Sequence, residues 1–344
     1  MRFNHVSLHN FGYQLPPNVV SSADLESRLA PVYDRLKLPE GRLELMSGIK
    51  ERRFWDAGTR PSDGAIMAGR KAIAASGIAA ADIECLIFTG VCRDMIEPAT
   101  ASFVHHKLRL SEKCLVLDIS NACLGFLNGM IMLASMIELG QVRNGLIVSG
   151  ETAESLVDST INSLLADLSL TRKSIKSSFA SFTIGSGAVA LAMSDARNHD
   201  TGHHLIGGAW RANTSFNDLC KGGAAGEGGI LMDTDSEELL RRGVETAALT
   251  WQDFITETSW APDSISRFFC HQVGRAHASL LFETLGLDLA KNFETLSSLG
   301  NVGSVSAPIT MAIGIEQSVL QHGQRCALLG IGSGINCLML GVDW

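Results

Sequence analysis

Paired cysteines, a long membrane-type apolar run and an excess of positive charge are all missing from this 344-residue chain, and each absence removes a class of protein. The eight cysteines (Cys85, Cys92, Cys114, Cys123, Cys220, Cys270, Cys326 and Cys337) include no CxxC pair, so neither a metal site nor a disulfide framework is expected. A reduced, cytoplasmic compartment follows, with each cysteine by default a small core residue. The formal charge of -8 leaves no basic stripe for a phosphate backbone, which argues against a nucleic-acid partner. The glycine-rich segment from Lys221 to Gly229 lacks the Gly-Lys-Ser/Thr ending of a phosphate loop and reads as a mobile loop. Met1 to Leu8 alternates like a strand and has no apolar stretch of the secretory kind. The most apolar stretch, Ala122 to Leu139, contains Asn128 and Glu138 and is rich in small residues, which suits a buried helix rather than a membrane span. What is present, 46% apolar and 19% charged residues with 34 glycines against 8 prolines, reads as a compact α/β protein. At this length the expectation is two domains, or one large body made of two similar halves.

An internal repeat supports the second alternative. A helix-like run from Asp63 to Ser76 precedes the apolar strand Ile83–Phe88, and another from Glu237 to Thr256 precedes Ile265–Cys270. Asn121 and Asn301 each open a small-residue helix, ending near Leu139 and Leu320, that leads into a strand. The interval from Asn121 to Val148 equals that from Asn301 to Leu328. In this register Cys123 falls opposite Gly303, and Thr89 opposite His271. The expected division is residues 1–196, with a helical insertion near 151–179 able to wall a pocket, and residues 197–344. Short apolar strands alternating with long helices require a sheet covered on both faces. Phe182–Leu191 reads as the strand, with a glycine bend, that closes the first half.

Candidate chemistry gathers at the ends of these elements. Cys123 follows the strand-like Cys114–Ile119 and precedes the apolar helix, a position where the helix dipole favours thiolate. A thiolate attacks a thioester and holds the acyl group as a new thioester. His271 directly follows an apolar strand, where a sheet's carboxyl edge presents side chains to a crevice. Asn301 opens the matching helix, so a pseudo-twofold would bring it near Cys123. The run Gly330-Ile331-Gly332-Ser333-Gly334 offers backbone that can approach a bound acyl group and aim N–H groups at its oxygen, or simply bend between two strands. Phe126, Met130 and Met132 line an acyl channel or pack as core.

Together these residues resemble the thiolase superfamily, specifically the ketoacyl synthase III-like condensing enzymes. The resemblance covers nearly the whole chain. It maps the family's Cys-His-Asn triad onto Cys123, His271 and Asn301, its glycine turn onto Gly330 to Gly334 and its Gly-x-Gly-Ala strand onto Gly185 to Ala188. It implies a five-layered αβαβα fold from two pseudo-duplicated halves, a homodimer, and Gly332, Ser333 and Gly334 at the acyl oxygen. Two departures narrow the subfamily. After His271 the run is Gln272-Val273-Gly274-Arg275, with the arginine one position early. The loop that reaches the partner's pocket reads Arg93-Asp94-Met95-Ile96-Glu97-Pro98-Ala99-Thr100-Ala101, with a carboxylate where Phe-Pro is usual. This loop, with Asn121-Ala122-Cys123-Leu124 and Leu329-Gly330-Ile331-Gly332-Ser333-Gly334-Ile335-Asn336-Cys337, resembles the OleA-type enzymes of long-chain olefin biosynthesis, which join two fatty acyl-CoA molecules head to head.

The resemblance implies coenzyme A thioesters as substrates, no permanently bound cofactor, a donor delivered by coenzyme A or by an acyl-carrier protein, and downstream enzymes of the same pathway as partners. Chemistry then gives the glutamate a task. A malonyl donor gains its carbanion by losing CO2, whereas an ordinary acyl-CoA must lose an α-proton to a base. Glu97, reaching in from the neighbouring subunit, is the expected base, with His271 and Asn301 holding the enolate oxygen. Alternatives at this point are a decarboxylating 3-oxoacyl-[acyl-carrier-protein] synthase III, a thioesterase in which water resolves acyl-Cys123, and a scaffold with a vestigial triad.

Overall fold

A computed structural model describes residues 1–224 and 229–344. Its centre is a nine-stranded sheet of β1 (Val6–Gln14), β2 (Cys85–Thr89), β3 (Leu115–Ile119), β4 (Asn144–Glu151), β5 (Gly187–Asp195), β6 (His204–Ala212), β7 (Ile265–Cys270), β8 (Arg325–Gly332) and β9 (Asn336–Asp343). The order is β7-β8-β9-β6-β1-β5-β4-β2-β3. Read outward from the β1/β6 seam, both arms carry the same pairings. On one side β1 pairs antiparallel with β5, β5 antiparallel with β4, and β4 parallel with β2. On the other, β6 pairs antiparallel with β9, β9 antiparallel with β8, and β8 parallel with β7. Strand β3 adds an edge to the first arm alone.

Alternation of side chains along the strands creates the layers. Cys85 and Ile87 of β2 point into one core while Leu86 and Phe88 point into another. In the second arm Cys326 and Leu328 of β8 join the first of these cores, whereas Ala327 and Leu329 enter a third. The shared core holds the helices α3 (Gly125–Glu138) and α7 (Ser306–Glu316) between the two arms. The outer cores are capped by α1 (Pro61–Ser76) and α2 (Thr100–Leu108) on one face, and by α5 (Ser236–Thr258) and α6 (Arg275–Leu285) on the other. Helix, sheet, helix, sheet, helix is the five-layered αβαβα arrangement. No helix among the described residues is long and apolar enough to cross a membrane.

Several boundaries depart from the sequence reading. The central helices start later than Asn121 and Asn301: α3 begins at Gly125, and α7 at Ser306 after a 3-10 turn over Gly303–Val305. Residues 121–125 are held in a turn by Leu124 N–H donating to the Asn121 carbonyl and Gly125 N–H to that of Ala122, with Ala122 at φ 45°. Strand β5 starts at Gly187, because Phe182 and Thr183 belong to a 3-10 segment, Ser174–Thr183. The insertion contributes α4 (Glu154–Ala166). Cys220–Ala224 pairs antiparallel with Ile230–Thr234; residues 225–228 of the expected mobile loop lie outside the described residues.

Candidate active site

A cavity of about 1170 Å³ lies where the two arms meet the turn before α3 and the helices α4, α5 and α6, and Cys123, Glu151, His271, Asn301, Gly332 and Ser333 all line it. The triad expected from sequence is therefore brought to one space from three different elements. Gly334, at φ 79° in the β8–β9 turn, is not among the lining residues. Phe126 and Met130 are fully buried in the central core and Met132 is exposed, so the acyl channel expected from these three is not formed by them. The insertion contributes Ser155, Leu156 and Phe179 to the cavity lining.

Each polar group is fixed by backbone pairing. The His271 N–H donates to the Leu329 carbonyl at 2.8 Å, extending the β7–β8 ladder by one residue and delivering the imidazole at the strand's carboxyl end. Gln272 then anchors the segment, donating to Thr310 Oγ1 at 2.8 Å and accepting from the Thr295 N–H at 3.0 Å. Asn301 bridges to Ile184: its N–H donates to the Thr183 carbonyl and its carbonyl accepts from Gly185 N–H. A Cβ at Gly185 would lie 2.1 Å from the Leu299 carbonyl oxygen, so the glycine is what lets the two segments meet. Gly303 N–H donates to Asn301 Oδ1 at 3.0 Å, which occupies the carboxamide oxygen and leaves its NH2 as the group available to an acceptor. A Cβ at Gly332 would stand 3.0 Å from Leu124 Cγ and 3.8 Å from the Cys123 nitrogen, so the glycine backbone lies directly against the cysteine turn.

The electrostatics correct one expectation. Cys123 is half-buried and opens on the cavity, but the surrounding protein, followed by the Glu151 carboxyl, pushes its thiol up to about 12. The helix start does not offset this, because Cys123 precedes the first turn of α3 and sits within a desolvated turn. The resting residue is a thiol. Burial, reinforced by His277, lowers His271 to about 4, so its ring is neutral at pH 7; its Nδ1 has no hydrogen-bond partner among the described residues. Alkylation of the free enzyme at Cys123 by iodoacetamide is accordingly expected to be slow at pH 7.5 and to climb about tenfold per pH unit towards pH 10, following the thiolate fraction. A plateau already reached near pH 7, followed by peptide mass spectrometry, would contradict a raised pKa.

Glu151 is the residue that sequence reasoning passed over. It ends β4, is buried, and its carboxylate accepts from Val91 N–H at 2.9 Å, Cys92 N–H at 3.0 Å, Ser304 N–H at 3.2 Å and Ser304 Oγ at 2.9 Å. Burial still moves its carboxyl above the ordinary carboxylate range. The pointer existed: an acid three residues after the apolar Leu146-Ile147-Val148 run closes its strand, close to the strand-end position that singled out His271.

Glu97 stands apart. It is exposed and does not line its own chain's cavity, although Arg93 and Ile96 do. It forms no ion pair among the described residues. Its loop is tied down on both sides. Glu151 holds Val91 and Cys92, and Asp94 accepts from Ser62 N–H and Oγ at 2.9 and 2.6 Å. Asp118 caps α2 through the Thr100 and Ala101 N–H groups. Between these anchors Met95, Ile96, Glu97 and Pro98 project from the surface.

A five-layered pair of duplicated arms with a thiol, an imidazole and a carboxamide at their junction defines a condensing acyltransferase of the thiolase superfamily. Family models agree: 3-oxoacyl-[acyl-carrier-protein] synthase III matches residues 117–213, and the C-terminal part of that synthase matches residues 255–344. The chain belongs to this family, in the branch of the acyl-CoA:acyl-CoA alkyltransferases. It is 42% identical to the Shewanella oneidensis acyl-CoA:acyl-CoA alkyltransferase over 351 residues and 36% identical to that of Xanthomonas campestris over 344 residues, each match covering 100% of both chains. A cerulenin-bound Xanthomonas OleA superposes with a TM-score of 0.95 at 36% identity, covering 100% of this chain and 98% of that one. Solved forms of Xanthomonas OleA include ones altered at one cysteine, one glutamate and one histidine; in their numbering the glutamate and cysteine stand as far apart as Glu97 and Cys123 do here.

Proposed function

We propose that the protein joins two fatty acyl-CoA thioesters by Claisen condensation through an acyl-Cys123 intermediate. In the first half-reaction the Cys123 sulfur attacks the thioester carbonyl of one acyl-CoA. The carbon–sulfur bond to coenzyme A breaks, and the proton given up by the thiol leaves with the coenzyme A sulfur. The oxygen is held by the Cys123 N–H and the backbone at Gly332 and Ser333. In the second half-reaction Glu97 of a second subunit takes the α-proton of another acyl-CoA. The neutral His271 ring and the Asn301 NH2 stabilise the enolate oxygen. The enolate carbon attacks acyl-Cys123, expels its sulfur and forms a 2-alkyl-3-oxoacyl-CoA; the proton held by Glu97 returns to Cys123.

The observation that carries this reading is the carboxylate at the tip of an anchored, projecting loop, at the same interval in sequence from Cys123 as separates the glutamate and the cysteine altered in the OleA structures. Delivery of both acyl groups by coenzyme A, a homodimer that completes each site and a cytoplasmic location accompany the reading. Myristoyl-CoA alone is expected to give free coenzyme A and, after thioester hydrolysis and spontaneous decarboxylation, a long-chain ketone visible by mass spectrometry. Turnover only after malonyl-carrier protein is added would instead establish the decarboxylating synthase. Free myristic acid as sole product would establish a hydrolase.

A further inference from the structure

We propose that Glu151 is a positioning residue for the carbon–carbon bond-forming half-reaction, tying the Asn301 side of the cavity to the root of the loop that carries Glu97. The inference rests on the condensation reading above. Three of the four hydrogen bonds to the Glu151 carboxylate reach Oε1, from Val91 N–H, Ser304 N–H and Ser304 Oγ, and the fourth, from Cys92 N–H, reaches Oε2. The donors belong to two segments more than 200 residues apart in sequence. Val91 and Cys92 begin the loop that ends in Glu97. Ser304 lies three residues after Asn301, in the turn whose Gly303 N–H orients the Asn301 carboxamide.

Two further features hold the junction in place. Gly303 adopts φ 54°, and a Cβ there would approach Glu151 Oε1 to 3.0 Å, so the turn is closed down on the carboxylate. Ser149, two residues earlier on β4, donates from Oγ to the Thr89 carbonyl at 2.6 Å and lies 3.0 Å from Ser304 Oγ, so the same strand braces the end of β2 as well. Among the described residues, backbone N–H groups donate to both Glu151 oxygens, so the side chain must be an acceptor on each of them. A glutamine has the same shape and the wrong pattern. Whichever way its amide turns, an NH2 group faces at least one backbone N–H.

The two half-reactions respond differently. Acyl transfer to Cys123 uses backbone donors at Cys123 and Gly332, which Glu151 does not hold, and removing a negative charge beside the thiol makes ionisation easier. Condensation needs Asn301 and Glu97 in register, and displacement of reacting groups on the order of 1 Å costs about 100-fold. Glu151→Gln is therefore expected to acylate Cys123 from myristoyl-CoA at least as fast as the unaltered enzyme, read by intact-protein mass in a single turnover. Ketone formation should fall about 10- to 100-fold. Equal loss in both steps would mark Glu151 as generally structural and overturn the proposal, as would ketone formation at the unaltered rate. Absence of ketone from the unaltered enzyme would overturn the condensation reading itself and this proposal with it. Should Glu151→Gln fail to fold, Ser304→Ala removes one donor, keeps the carboxylate and is expected to show the same split at a smaller ratio; no split in Ser304→Ala would sink the idea.

Discussion

Cys123→Ala is expected to end both acyl-enzyme formation and ketone production, a fall of roughly 10⁴-fold or more, because every later step uses the thioester that this sulfur makes. The cavity has other sulfurs, and the prediction depends on none of them substituting. Cys92, Cys220 and Cys270 also line it. The Cys92 thiol donates to the Thr152 carbonyl, and burial pushes it up to about 12. Cys220 is engaged by the Thr234 hydroxyl at 3.4 Å, and Cys270 is buried in the outer core with its thiol driven up by desolvation. Only Cys123 sits against the glycine backbone that can receive the carbonyl oxygen. The truncation removes one sulfur from a half-open position, so the melting temperature should stay close to that of the unaltered protein. Intact mass after incubation with myristoyl-CoA gives the answer: an acyl adduct on the alanine variant would show that another group is the nucleophile.

The convergence of Cys123, His271 and Asn301 on one cavity was legible in the sequence because each stands at the end of an element with a strong local signature. His271 closes the apolar Phe268-Phe269-Cys270, and Cys123 and Asn301 precede two small-residue segments at matching intervals, which made the duplicated arms visible before any coordinates. The same signatures misplaced the helix starts. Ala122 takes a positive φ without being glycine, and only the tertiary bonds around Asn121 and Leu124 require it. The thiol's ionisation was misread for a related reason: desolvation depends on how the second arm and Glu151 close over the turn, and a one-dimensional pattern carries no such information. Phe126 and Met130 were ambiguous because α3 and α7 lie between the two arms of the sheet. Residues Ser306 to Gly314 of α7 are buried on all sides, so no polar face marks which side chains border the cavity. The pairing of Cys220–Ala224 with Ile230–Thr234 was hidden by glycines that weaken any strand signal.

Glu97→Gln is expected to leave acylation of Cys123 intact and to reduce condensation about 10²- to 10⁴-fold, the usual range for losing a general base. Its exposed position makes a sharper test available. On one chain Glu97 does not reach the cavity that contains Cys123, while its loop is pinned at Val91, Cys92 and Asp94 and so cannot simply fold back. If the base acts across a twofold interface, each cavity combines Cys123 of one subunit with Glu97 of the other. Mixed dimers of Cys123→Ala and Glu97→Gln subunits then regain one competent site, because the Glu97→Gln subunit keeps its sulfur and receives the intact carboxylate of its partner. Random mixing makes about half of the dimers mixed, each with one working site of two, so ketone formation should return to about a quarter of the unaltered rate. A base acting within its own chain gives the opposite result, since no subunit of the mixture has both groups. Co-expressed, differently tagged subunits purified as the mixed species, with ketone measured per dimer, separate the two cases: about half the unaltered rate places Glu97 in its partner's site, and a rate no higher than either variant alone removes it from that role.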